Sequence, residues 1–202
     1  MYNKSIKEFN NLLFSKEAVP GGGSTSALVG ALSSCLGNMA IELTYGKKKY
    51  LEYEDKLRDL SAQLKQLDDK LLQSINDDAK AFYPLSKAYS MDKNNPEYIM
   101  VLERCLQDAS MPPLSIMKYC AKVIEIDNVL KDITSKIMIS DVGTSLALAT
   151  GALKGAYLNV LVNTKLMKDK EYASNLENMA KKILDKYSKI ADEAYSVVLE
   201  RL

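Results

Sequence analysis

The sequence predicts an all-α fold, a bundle of long antiparallel helices with a glycine-rich turn at one helix N-terminus. Apolar residues recur at spacings of three and four over long stretches, and no strand-like alternation competes with them. Breakers are scarce, because three of the nine glycines fall in one turn and there are only five prolines. A hydrophobic fraction of 47% beside 26% charged residues suits a chain that buries its own core. No linker divides the chain, so residues 1–202 are expected to form a single domain.

Ile6, Phe9, Leu12 and Leu13 predict a short amphipathic helix. Pro20, Gly21, Gly22 and Gly23 then form a turn, and Ser24 opens a helix of about six turns that closes at Gly46 and three lysines. Gly23, Ala27, Gly30, Ser34 and Gly37 keep one face small, which suits close packing, across a dimer interface included. From Tyr50 to Phe82 the series Leu57, Leu60, Leu64, Leu67, Leu71, Ile75 predicts one long return helix. Pro84 is expected to kink it or tighten its last turn. Asn95, ahead of Pro96, is the expected cap of the next helix, through Val101 and Leu106. Pro112 and Pro113 are expected to end that helix and start another through Leu114 to Ile124. Ser140 and Asp141 cap a second Gly- and Ala-rich helix, and a last helix runs from about Glu171 to Leu202.

Composition removes several classes of function. A net charge of +1 offers no field for nucleic acid or an anionic membrane. Glu42 and the lysines bound the apolar helix, so no run is expected to cross a membrane. The N-terminal MYNKSIKEFNNLLF has no apolar h-region, which predicts a cytoplasmic protein. The odd count of three cysteines, Cys35, Cys105 and Cys120, reads as reduced core thiols. With no histidine the commonest general base and metal ligand is missing, and neither a metal nor a cofactor is expected.

The chemistry must therefore rest on carboxylates, lysines, tyrosines or backbone dipoles. Asp78 is the foremost catalytic candidate, because the stripe Leu67, Leu71, Ile75 continues onto it and places a carboxyl on the core-facing seam. Burial raises a carboxyl pKa toward the range useful for proton transfer. A plain helix-end contact would place it there equally well. Gly21, Gly22, Gly23 and Ser24 read either as a turn with Ser24 as N-cap or as a binding corner whose free N–H groups face an anion. Lys47 with its neighbours faces the C-terminal dipole of a helix. Asp141 has a job as an N-cap. Asn159 and Asn163 stand one turn apart on one face, suited to a heterocycle edge or an opposing helix. Tyr45 and Tyr50 could stack on a ring.

These residues also carry a resemblance. PGGGS with Ala27, Gly30, Met39, Thr44, Gly46, Lys47 and Tyr50, then Asp78-Ala79-x-Ala81-Phe82, then Ser140-Asp141 leading to Asn159 and Asn163, follow one family's order along nearly the whole chain. The chain resembles the cyclodeaminase domain of formiminotransferase-cyclodeaminase, a family that includes methenyltetrahydrofolate cyclohydrolases. It departs from that pattern at Ser135-Lys136, where the family usually has Gly-Asn. The resemblance implies a homodimer and a tetrahydrofolate substrate, with Asp78 catalytic and Gly21, Gly22, Gly23, Ser24, Asp141, Asn159 and Asn163 binding it. Lys47 would capture a glutamate or polyglutamate tail. The implied reaction turns 5-formiminotetrahydrofolate into 5,10-methenyltetrahydrofolate and ammonia; cyclohydrolase activity giving 10-formyltetrahydrofolate is the alternative. A non-catalytic folate-binding or regulatory helical dimer is a third possibility.

Overall fold

The computed structural model describes residues 3–202, and among them six α-helices and two short 3-10 turns form the ordered elements, with no strand. Helix α1 (Ile6–Leu13) opens on a capping box: the Glu8 N–H donates to Ser5 Oγ and the Ser5 N–H donates to Glu8 Oε2. Helix α2 (Gly22–Glu42) begins two residues before Ser24, with Gly21 at the N-cap. Ser24 is thus inside the first turn rather than its cap, and its hydroxyl is free to bond elsewhere.

A 3-10 turn (Lys48–Tyr53) leads into α3 (Glu54–Tyr89), which buries the leucine series from Leu57 to Ile75 and continues through Pro84 without a break. Helix α4 (Tyr98–Ile133) starts later than expected: Asn95 Oδ1 accepts from the Glu97 N–H in a turn just before it. Pro112 and Pro113 do not split α4 as predicted. Pro113 withholds a donor from the Ala109 carbonyl, but Asn163 Nδ2 donates to that oxygen at 3.0 Å from another helix. A 3-10 turn (Lys136–Met138) precedes α5 (Ile139–Thr164), so Asp141 sits in the first turn and is not the cap; position 138 is. Helix α6 (Lys170–Arg201) is capped by Asp169, whose side chain accepts from the Tyr172 N–H at 2.9 Å.

Helices α2, α4 and α5 pack on one another, α3 covers α2 and α4, and α6 covers α4 and α5. α2 and α5 run antiparallel, with Gly22 beside Asn159 at one end and Ser33 beside Ser145 further along. The small-residue face of α2 packs inside this protomer. A Cβ on Gly30 would lie 2.9 Å from Cys120 Sγ, and one on Gly155 of α5 would lie 2.5 Å from Ser26 Oγ.

Two expectations need correction. By length and hydropathy both α2 and the stretch Lys136–Thr164 could span a membrane, as core helices of many water-soluble folds could. Here Ser, Gly and Ala on their inner faces pack against other helices, which accounts for their composition. The thiols also differ from one another: Cys120 is buried and pushed up to about 12, whereas Cys35 lies at the surface.

Candidate active site

The seam of α3 delivers Asp78 to the N-terminus of α2. Four N–H groups at a helix start lack intrahelical partners, and three glycines leave that end uncovered by side chains. Ser24 Oγ donates to Asp78 Oδ2 at 2.8 Å and also lies 3.2 Å from the Ile75 carbonyl. The Ser24 backbone N–H bonds the same carboxyl. The two features read separately in the sequence are therefore partners: the anion at the glycine corner is Asp78 itself.

Gly23 makes this approach possible. A Cβ at position 23 would stand 2.0 Å from Asp78 Oδ1, so any side chain there would expel the carboxylate. Burial lifts the Asp78 pKa, and the hydroxyl and N–H of Ser24 pull it down; the net shift is upward from the ordinary carboxylate range. Ser24 Oγ holds Oδ2, and the carboxyl as a whole lines a cavity.

Asp78 opens onto a cavity of about 210 Å3 lined by Gly21, Gly22, Gly23, Phe82, Asn159 and Asn163, among others. Whole small-molecule ligands usually fill roughly 300–1,000 Å3, so this space takes a ring and leaves the rest of a longer molecule outside. Asn159 Nδ2 donates to the Gly155 carbonyl at 2.8 Å, and its amide lies over Gly22. Asn163 is almost fully buried. Of the expected site residues, Gly21, Gly22, Gly23, Ser24, Asp78, Asn159 and Asn163 come together here.

Lys47 and Asp141 do not. Both belong to the other end of α2 and α5, about 30 Å away along a 21-residue helix. There Lys47 Nζ donates to Ser135 Oγ at 3.0 Å, and the Ser135 N–H donates to Thr44 Oγ1 at 2.8 Å. Ser135 thus ties down two motif residues of that end. Tyr45 is there too, its hydroxyl accepting from Arg58. Ala109, Pro113 and Phe82 line the cavity without having been singled out as binding residues. The adjacent prolines were a visible signal, read only as a helix break.

Comparison with known proteins bears on the family and the fold. Residues 5–182 match the family model described as formiminotransferase-cyclodeaminase. A methenyltetrahydrofolate cyclohydrolase of Methylorubrum extorquens is 30% identical over 99% of this chain and 98% of its own. A formimidoyltransferase-cyclodeaminase of Dictyostelium discoideum is 33% identical over 98% of this chain, which spans 36% of that longer protein. The solved formiminotetrahydrofolate cyclodeaminase of Thermotoga maritima shares the fold, with a TM-score of 0.86 over 99% of this chain and 96% of that one at 23% identity.

Proposed function

The chain belongs to the formiminotransferase-cyclodeaminase family of one-carbon folate enzymes, and from that premise we propose that Asp78 moves protons for a reaction at the carbon between N5 and N10 of tetrahydrofolate. The observation that carries this reading is the Asp78 carboxyl, raised in pKa by burial, held by Ser24 and lining a ring-sized cavity.

In cyclodeamination, N10 of 5-formiminotetrahydrofolate attacks the carbon of the protonated formimino group, whose nitrogen becomes NH2. Asp78 takes the proton that N10 loses and passes it to the former imino nitrogen. Ammonia then leaves, and the N5–CH–N10 methenyl bridge remains. Proton transfer of this kind contributes ~10²–10⁴-fold. Ser24 keeps the carboxyl oriented through both transfers, and Gly22 and Gly23 let the ring approach the backbone.

A second reading has one observation in its favour: the Methylorubrum extorquens relative, matched from end to end, is a cyclohydrolase. Water would add to the methenyl carbon and give a proton to Asp78. The new hydroxyl would then lose its proton to solvent as the N5–carbon bond breaks, with Asp78 protonating N5 and 10-formyltetrahydrofolate leaving. Both reactions pass through a tetrahedral carbon between the same nitrogens, so the same carboxyl serves either.

We also propose that the working unit is a homodimer. Leu32 and Met39 of α2 and Leu43 just after it are exposed, and Leu158 and Val162 of α5 are exposed toward the glycine end of the same helix pair. Two neighbouring helices of this length offer a face of about 30 by 20 Å, so two copies would bury ~1,200 Å2, at the lower end for a specific interface. A twofold axis lying in this face at right angles to the two helices would carry each lysine end over the partner's glycine corner. Lys47 would then meet the glutamate or polyglutamate tail that the cavity cannot hold.

The test follows the methenyl chromophore. Its appearance from 5-formiminotetrahydrofolate marks cyclodeamination, and its accelerated loss from methenyltetrahydrofolate marks hydrolysis. Asp78→Asn should lower the observed rate by ~10²–10⁴-fold with the helical circular dichroism intact. Full turnover by Asp78→Asn would remove Asp78 from the chemistry.

A further inference from the structure

We propose that Asn163, held in place by Pro113, is a specificity residue that turns its amide oxygen to the cavity and selects a ring with an N–H donor edge, an inference that rests on the folate reading above. On folate that edge is the 2-amino group and adjacent ring N–H of the pyrimidine.

The chain of causes starts at the proline. Pro113 has no N–H, so the Ala109 carbonyl one turn earlier loses its helical donor. A carbonyl left unpartnered in the interior would forfeit its hydration with nothing in return. Asn163 Nδ2 fills the gap at 3.0 Å. That bond fixes the amide with its nitrogen on α4, and Ala109, Pro113 and Asn163 line the cavity together. Asn163 is only 6% exposed and lines the cavity, so the amide oxygen left over from that bond is shielded from bulk water. Asn159 is pinned in the same sense, since its Nδ2 donates to the Gly155 carbonyl. Two amide oxygens one helical turn apart thus remain as acceptors, and Asp78 lines the same cavity. A site of buried acceptors binds a ring that offers N–H groups and rejects one that leaves them unpaired.

Titration calorimetry with tetrahydrofolate and its 2-desamino-2-methyl analogue tests this, because the methyl group keeps the ring's shape and removes its exocyclic donor. The wild-type protein should bind the analogue ~10-fold or more weakly. The double variant Pro113→Ala/Asn163→Ala should reduce that preference to about twofold, within the weakest effect of one lost hydrogen bond. In it the backbone N–H restored at position 113 can serve the Ala109 carbonyl, so removing Asn163 leaves no orphan in the core, and circular dichroism checks the fold. Pro113→Ala alone should lower the preference with Asn163 still present, which a purely structural asparagine would not do. Equal binding of both compounds by the wild type, or an undiminished preference in the double variant, would overturn the proposal. If neither compound binds the wild-type protein, the folate reading itself falls; tetrahydrofolate binding without preference removes only this inference.

Discussion

Asp78 is pulled two ways, and the balance is testable at single residues. Burial raises its pKa and Ser24 lowers it. If the ionised carboxylate must take the first proton, activity falls on the acid side as Asp78 becomes protonated. Ser24→Ala removes one of the bonds that favour the ionised form, so the acid limb of kcat/KM against pH should move to higher pH. A limb that stays in place would mean that another group sets it. Gly23→Ala is the steric counterpart. A methyl group 2.0 Å from Oδ1 must displace the carboxylate, so activity should fall ~10²-fold or more while helicity persists. Gly21→Ala, where a Cβ meets nothing within 4 Å, should cost far less. Asp78 was legible because helical spacing alone places it on the seam. Ser24 was not, since a serine after glycines looks like a local cap and its true partner lies 54 residues away.

At the scale of the elements, long apolar stripes were read well and their interruptions poorly. The leucines of α3 gave both helix and buried face. Pro112 and Pro113 looked like a boundary because the rule for proline is local, whereas the donor that keeps α4 whole comes from Asn163 on α5. The same kind of distant partnership ties α2, α4 and α5 together at Asp127, which no spacing rule marks. Its side chain is fully buried, and Ser145 Oγ lies 2.5 Å from its Oδ2. Ser145 has one hydroxyl hydrogen, yet it also sits 2.8 Å from the Ser33 carbonyl, which can only accept. Both of these contacts have a donor when Asp127 keeps its proton and donates to Ser145, which donates to the Ser33 carbonyl; Asp127 Oδ1 has no partner among the described residues. Burial holds the Asp127 pKa well above its ordinary value, against the weaker opposing pull of Ser145. The folded pKa exceeds the unfolded one, so stability is greatest below the unfolded value near 3.8 and is lost as pH rises through the folded value. Asp127→Asn reproduces the neutral acid, with Nδ2 in place of the acidic O–H. Urea titrations should show it at least as stable as wild type at pH 8, with a flatter dependence on pH. A loss of ~2 kcal/mol or more at every pH would show that Asn fails to reproduce the group Asp127 supplies.

The whole molecule sorts its motif residues to two ends that one protomer cannot bring together. Lys47, Asp141 and Ser135 share one end, and Asp78, Ser24 and the two asparagines share the other. Sequence order gave no warning, because a 21-residue helix separates positions that a motif prints side by side. In the proposed dimer, a twofold axis at right angles to α2 and α5 would join the ends. Complementation between inactive variants tests that geometry directly. If each site takes Asp78 from one protomer and Lys47 from its partner, Lys47→Glu and Asp78→Asn proteins should each have little activity alone. Co-expressed with distinguishable tags and purified as the mixed dimer, they should form one site carrying both substitutions and one carrying neither, restoring about half of wild-type activity. If instead both residues of a site come from the same protomer, every site in the mixed dimer keeps one substitution and no activity returns. A Lys47→Glu protein with ordinary activity and KM would decide the matter sooner, confining Lys47 to its bond with Ser135 and leaving the tail to other residues.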